Sequence, residues 1–280
     1  MKRKLLYLTI LGFIILIFKN YNIVLSSTIE AVNIWLYKVF PYLFIMIIAN
    51  DLLINADFAH LFPNNLSYIF IMSLLSGTPT SAYIITNLYQ EKKISNNNAN
   101  YALLFTYFCN PLFLFTILNL IFPKTNIPLK LIGIHYLSNI LIYFFVHKHL
   151  DKEKSTRSRC QFNLTQAIKK SITTTTMVLG AITFYMVLSQ IILNTFLLPT
   201  KINLLFQGTL EVTQGLNALI GLSYSLKIKE LFACFFISFG GLSIHTQIKC
   251  ILEETDLEYR YFLFGRFFQL GIALILTAIT

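Results

Sequence analysis

Glu211, His245 and Arg266 stand in stretches of otherwise apolar sequence: "LEVTQG", "FFISFGGLSIHTQIKCIL" and "FLFGRFFQL". At membrane depth an ionisable side chain costs about 2.5–3.5 kcal/mol unless it is paired or used. A carboxylate and a guanidinium there either pair with each other or meet a charged solute, and both readings stay open for Glu211 and Arg266. His245 can meet an anion or a proton, or simply bond to backbone. His135, in "IGIHYLSN", reads as a helix-contact histidine, and Lys38, one turn before "FPYLF", as a cation that snorkels to an interface.

A second kind of chemistry comes from interruptions. "SLLSGTPTSAYI" places Ser76, Gly77, Thr78, Thr80 and Ser81 around Pro79, between two apolar arms. Pro79 removes a donor and disfavours helical geometry at Thr78, Gly77 permits a tight turn, and the hydroxyls serve freed backbone groups or a ligand. Packing of small residues between helices is the other reading. The stretch from Phe235 to Leu252 repeats the plan, with Gly240, Gly241 and Ser243 at its tip and His245 and Gln247 just beyond. "YFCNPLF" sets Asn110 and Pro111 in the middle of an apolar segment from Ala99 to Phe122, where a proline kink and a solute contact are both compatible with the residues.

Enzymatic chemistry finds less support. Ser243 and His245, two apart on a helix, point to different sides, and neither the elbow GxSxG nor a P-loop occurs, so a non-enzymatic function is expected. Cys109, Cys160, Cys234 and Cys250 form no CxxC pair and have no neighbouring histidine, which points to neither a metal site nor a disulfide framework.

The elements that must position these groups follow from composition. Of 280 residues, 56% are hydrophobic and only 12% charged, and the mean hydropathy is +0.66. Such a chain has too little charge to cover a water-facing surface, so it is an integral membrane protein. Apolar runs near Leu5, Ile29, Ala99, Pro128, Ile172 and Tyr259 can cross about 30 Å of hydrocarbon as helices. The first reads as a retained helix, since no small-x-small cleavage site follows it. The net charge of +10 lies largely in "HKHLDKEKSTRSRC" and at Lys169 and Lys170, the pattern of a cytoplasmic loop, so no nucleic-acid partner is expected.

With the N-terminus and that loop both cytoplasmic, the membrane is crossed an even number of times between them. Five runs lie between, so the run broken at Gly77–Thr80 is expected to enter and leave on one side. Its likeness to the second interruption suggests an inverted repeat, with a hairpin at Phe235–Leu252 entering from the opposite face and the acidic link Glu253–Arg260 outside. The path of residues 204–226 is left open. The expected architecture is one all-α transmembrane domain: a first repeat at about 29–146, a basic loop at about 147–171 and a second repeat at about 172–280.

"FPYLF", "SGTPTSAYIITNLYQEKKIS", "CNPLFLF", "LEVTQG" and "FGGLSIHTQIKCIL" resemble, in order and approximate spacing from about Ala31 to Thr280, the YlbJ (SpoVV) family of sporulation integral membrane proteins, within the nucleoside-recognition or Gate domain group. The resemblance implies a role in endospore formation, moving dipicolinic acid across the outer forespore membrane, and a core similar to concentrative nucleoside transporters, with two hairpins and two broken helices. The chain departs from the family's commoner "SGFPVGA" by Thr78 and "TSA". A flat dianion suits half-helix N-termini after Gly77 and Gly240. The substrate contacts expected are Ser76, Gly77, Thr78, Thr80, Ser81, Asn110, Glu211, Gly240, Gly241, Ser243, His245, Gln247 and Arg266, with no cofactor or metal; a coupling ion, proton or sodium, is left open. A homo-oligomer, a carrier of nucleosides and a non-transporting sporulation scaffold remain alternatives.

Overall fold

A computed structural model describes residues 2–152, 163–196 and 198–280. Cys160 and much of the basic loop lie outside the described residues. Among those described, every regular element is a helix, as hydrocarbon demands of a chain that must bond its own backbone. Helices α1 (Lys2–Lys19) and α2 (Tyr21–Ile34) lead through a π-helical turn, Trp35–Val39, into α3 (Phe40–Asn55). Helices α4 (Asn65–Ser76) and α5 (Thr80–Gln90) flank a first break, α6 (Asn96–Phe105) and α7 (Pro111–Ile121) a second, and α8 (Ile127–Val146) follows unbroken. The pattern then recurs: α9 (Leu164–Thr195) leads into α10 (Thr200–Leu210) and α11 (Val212–Ile220), which meet at Glu211; α12 (Leu226–Phe239) and α13 (Gly241–Leu252) meet at Gly240; and α14 (Tyr259–Ile279) is unbroken. Among the described residues, five stretches are long and apolar enough to cross a membrane: Tyr21–Asn55, Ile127–His149, Leu164–Thr195, Leu226–Leu252 and Tyr259–Ile279. The chain is a polytopic helical membrane protein.

Hydrogen bonds identify the two ends of the bundle. At one end Tyr89 Oη donates to Asp256 (2.6 Å), Glu258 N donates to Asn100 Oδ1 (2.8 Å) and Ser95 Oγ donates to Asp151 (2.7 Å). Asn65 Nδ2 also donates to Lys93 O (2.6 Å), so the start of α4 and the residues after α5 lie together and the pair folds back on itself. The link after α13 therefore shares an end with the link after α5. This corrects the expectation that Glu253–Arg260 lies opposite the "QEKKIS" loop.

The physical reason is which segment folds back in the second half. It is residues 200–220, not Phe235–Leu252. Gly208 and Gly215 bring α10 and α11 so close that a β-carbon on Gly215 would stand 2.3 Å from the Gly208 α-carbon, and Phe236 covers the contact. α12 and α13 form instead a single interrupted span, Leu226–Leu252. Glycine pairs allow this approach of backbones where hydrophobic driving force is absent.

α9 lies antiparallel along α2 and α3. Asn194 Nδ2 donates to Asn20 Oδ1 (3.0 Å), Trp35 Nε1 to Thr175 O (2.8 Å), Ser171 Oγ to Phe44 O (2.7 Å), and Lys170 Nζ to Asp51 (2.8 Å). The lysines at 169 and 170 thus belong to the first turns of α9 rather than to a loop. The main core is built on the other side from α4 to α8 and α11 to α14, around Tyr68, Phe105, Phe122, Leu216 and Phe236.

Candidate functional site

Each break is held by groups supplied from elsewhere. At the first, Gly77 adopts φ 75°, and a β-carbon there would lie 2.8 Å from Asn110 N, so both conformation and space require glycine. Thr78 N then donates to Phe108 O (2.7 Å), joining the first break to the second. At the second, residues 106–110 leave the helix altogether, which is more than a proline kink. Cys109 N donates to His135 Nε2 (3.0 Å) and Asn139 Nδ2 donates to Tyr107 O (2.5 Å). Buried backbone groups must be paired, and α8 supplies the partners.

Asn110 and Glu211 play one local part in different breaks. Asn110 Oδ1 accepts from Leu112 N (3.0 Å) and Phe113 N (3.2 Å), capping α7 ahead of Pro111. The Glu211 carboxylate accepts from Gln214 N (2.7 Å), capping α11 with a negative charge suited to a helix N-terminus. α5 and α13 have no side-chain cap at all, and Thr80 Oγ1 and Ser243 Oγ, in their first turns, are buried without a hydrogen-bond partner. At the fourth break Gly240 (φ 88°) and Gly241 (φ 67°) lie against Tyr107 and the Leu210–Val212 backbone respectively, so this break abuts the third.

Three breaks open on one cleft, to which residues of each contribute. Ser76, Thr78, Asn110, Glu211 and Gln247 line it, together with Lys38 and Tyr42 from the start of the α3 segment and Phe113 from α7. Of the thirteen expected contacts, the structure brings those five to the cleft. Gly77, Thr80, Ser81, Gly240, Gly241 and Ser243 shape the breaks behind it and do not line it.

His245 and Arg266 are placed differently from the expectation that they meet substrate. His245 Nε2 lies 3.0 Å from Phe239 O; a carbonyl only accepts, so this nitrogen donates and Nδ1 accepts from Tyr259 Oη (2.6 Å). The ring braces the end of α12 against α14, and neither nitrogen is directed at Ser243. Arg266 is fully buried and does not pair with Glu211; its guanidinium lies 4.0 Å from the Tyr107 ring centre, donates to Gln269 and reaches Leu104 O (3.3 Å). Both residues support the unwound 106–110 stretch and its neighbour rather than the cleft surface. His135, expected as a helix-contact residue, is one, as the acceptor for Cys109 N.

Of the other residues at or beside the site, Lys38 reads from the sequence as an interfacial cation, and Gln214 and Asp51 are not singled out there. Lys38 faces the cleft because the π-helical turn rotates it there, which no hydropathy pattern announces. Gln214 is buried with both side-chain polar atoms unpartnered. Asp51, in "IIANDLLIN", is 1% exposed and accepts from Tyr83 Oη (2.7 Å), Asn55 Nδ2 (2.9 Å) and Lys170 Nζ. A carboxylate inside an apolar run was the available signal for Asp51.

The cleft assembles one ammonium, one carboxylate, two carboxamides, hydroxyls and aromatic rings. Among the described residues no cluster of His, Cys, Asp and Glu could hold a metal ion. The chain is similar to the sporulation integral membrane protein YlbJ of Bacillus subtilis (strain 168), with 24% identity over 85% of this chain and 72% of that one. No family model matches the chain, and no solved structure matches it.

Proposed function

We propose, for a chain that belongs to the YlbJ family of sporulation integral membrane proteins, that it is a transporter carrying dipicolinic acid, a small aromatic dicarboxylate, across the outer forespore membrane during endospore formation. The observation that carries this reading is the convergence of three helix breaks on one cleft. Non-helical backbone at membrane depth is stable only against protein or a water-filled cavity, and such breaks mark transporter binding sites.

The cleft offers what a flat dianion needs. Lys38 supplies charge, Thr78, Asn110 and Gln247 supply polar contacts, and Tyr42 and Phe113 supply rings on which a pyridine can stack. Glu211 is satisfied in part by the α11 N-terminus, which lessens its repulsion of an anion. Without a nucleotide-hydrolysing motif, movement is driven by a proton or sodium gradient or by trapping of product on the far side.

In this reading α4–α5 and α10–α11 are re-entrant hairpins that enter from opposite faces, and residues 29–146 and 172–280 form an inverted repeat. Each half runs from a fold-back to a broken span to an unbroken span, and α5 packs on α13 as α11 packs on α7. The N-terminus and the basic loop face the mother-cell cytoplasm under the positive-inside rule.

Uptake of labelled dipicolinate into liposomes, with nucleosides as competitors, tests the proposal. Saturable uptake is expected, reduced about tenfold by Gln247→Leu through loss of one contact to a charged group worth about 1.5 kcal/mol. Equal competition by a nucleoside assigns the cleft to that class instead. No uptake by folded protein under either gradient sinks the transport reading and favours the scaffold.

A further inference from the structure

α2 carries a polar line through an otherwise apolar span. Ser26, Glu30 and Asn33 follow at i, i+4 and i+7, one face of a helix. An unbroken α-helix would next present Tyr37 on that face. The π-helical turn Trp35–Val39 adds a residue, and Lys38, five after Asn33, continues the line instead. Tyr37 is left 72% exposed and lines none of the clefts described here.

Two further clefts follow this line. The first is lined by Ser26, Ser27 and Glu30 of α2, Gln190 and Asn194 of α9, and Asn203 and Gln207 of α10, with Ile23 and Leu193 at its edge. The second is lined by Ser26, Glu30, Asn33, Lys38 and Asn217, with Ile29 and Ile34 beside them. They share Ser26 and Glu30, and the second shares Lys38 with the central cleft. Along α9 the series runs from Ile182, at the central cleft, to Asn194, about 18 Å at 1.5 Å per residue, or roughly half of the hydrocarbon thickness.

Glu30 is the charged residue that lines the first cleft, while the second holds both Glu30 and, at the junction with the central cleft, Lys38. Glu30 is exposed, makes no ion pair among the described residues, and lies about 15 Å along α2 from Asn20, the residue that meets Asn194. Against lipid, a carboxylate at that depth costs about 2.5–3.5 kcal/mol, a penalty that water in the cleft removes. Carboxamides and hydroxyls around it offer oxygen atoms to a cation.

We infer that the α2 line is a water-filled half-channel joining the central cleft to the end of the molecule where Asn20 and Asn194 meet, and that Glu30 makes it admit small cations in preference to anions. It goes beyond the transport reading, because it concerns water access and charge selection whatever the central cleft binds.

Thiol labelling in lipid vesicles tests it without any transport measurement. In a background lacking Cys109, Cys160, Cys234 and Cys250, the variants Ser26→Cys, Asn33→Cys and Tyr37→Cys are treated with two membrane-impermeant thiosulfonates, one bearing trimethylammonium and one sulfonate. Ser26→Cys and Asn33→Cys are expected to react with the cationic reagent at least about tenfold faster than Tyr37→Cys, and with about a tenfold preference for it over the anionic one. Glu30→Gln brings that preference close to one. Labelling at Asn33→Cys and Ser26→Cys no faster than at Tyr37→Cys, or a preference unchanged by Glu30→Gln, overturns the inference. The two reporter positions, each checked for a monodisperse elution profile, keep the test decisive if one variant fails to fold.

Discussion

The two halves of the molecule reach the same cleft by different means. In the first half the fold-back turns over several residues, Ser76 to Pro79, with hydroxyls spread along it, and the returning arm α5 is tied to α3 and α9 through Asp51. In the second half the turn is the single residue Glu211, and the two arms press together at Gly208 and Gly215. The returning arm α11 has no counterpart to the Asp51 network; its Gln214 side chain is buried and unpartnered. One fold-back is held from outside by polar bonds, the other from within by close packing. The difference shows that two fold-backs can be stabilised by separate physical terms.

The largest effect expected from this contrast is at Gly215. Gly215→Leu forces α10 and α11 apart against backbone, at a cost beyond the about 1–3 kcal/mol of ordinary overpacking, and should leave no monodisperse protein on size exclusion. Ser76→Ala, which removes a hydroxyl bonded only within its own helix, to Met72 O, should still fold. Equal loss at both positions would break the comparison.

A smaller effect is expected at the polar tie. Lys170→Met removes the cation that faces Asp51, leaving a buried carboxylate with only neutral partners. Loss of one partner of a buried pair costs about 3–5 kcal/mol, and the partial exposure of Lys170 puts the change at about 3 kcal/mol in thermal unfolding in detergent. No loss of stability would show that α5, like α11, is held by packing.

The two caps sharpen the comparison furthest, with the smallest change in stability. Glu211→Gln and Asn110→Asp each keep a capping oxygen while exchanging charge, so both should stay within about 1 kcal/mol of the parent. Dipicolinate uptake should rise with Glu211→Gln and fall with Asn110→Asp, since the first removes and the second adds a negative charge at the cleft. Uptake insensitive to both would separate the caps from substrate.

Much of the site was legible in particular residues. Gly77, Pro79 and Asn110–Pro111 announced breaks through backbone chemistry that acts locally, and the structure opens the helix at each. Glu211 was legible as a carboxylate in apolar surroundings. What misled was resemblance between segments: Gly240–Gly241 looks like the Gly77 tip, yet it interrupts a stretch long and apolar enough to cross a membrane, while the segment whose arms pack together, 200–220, is too short and polar to stand out by hydropathy. His245 and Arg266 were rightly singled out as costly residues, but their partners, Phe239, Tyr259, Leu104 and Gln269, were fixed by packing that periodicity does not report.

The sequence by itself determined the solvent, the helical class and the positions where helices must break, because hydropathy, proline and positive-φ glycine act within a few residues. Only the tertiary structure decided which breaks meet. Whether a broken segment crosses or turns back depends on contacts such as Gly208 with Gly215 and Asn65 with Lys93, residues whose proximity arises from packing between helices and leaves no mark on the local pattern.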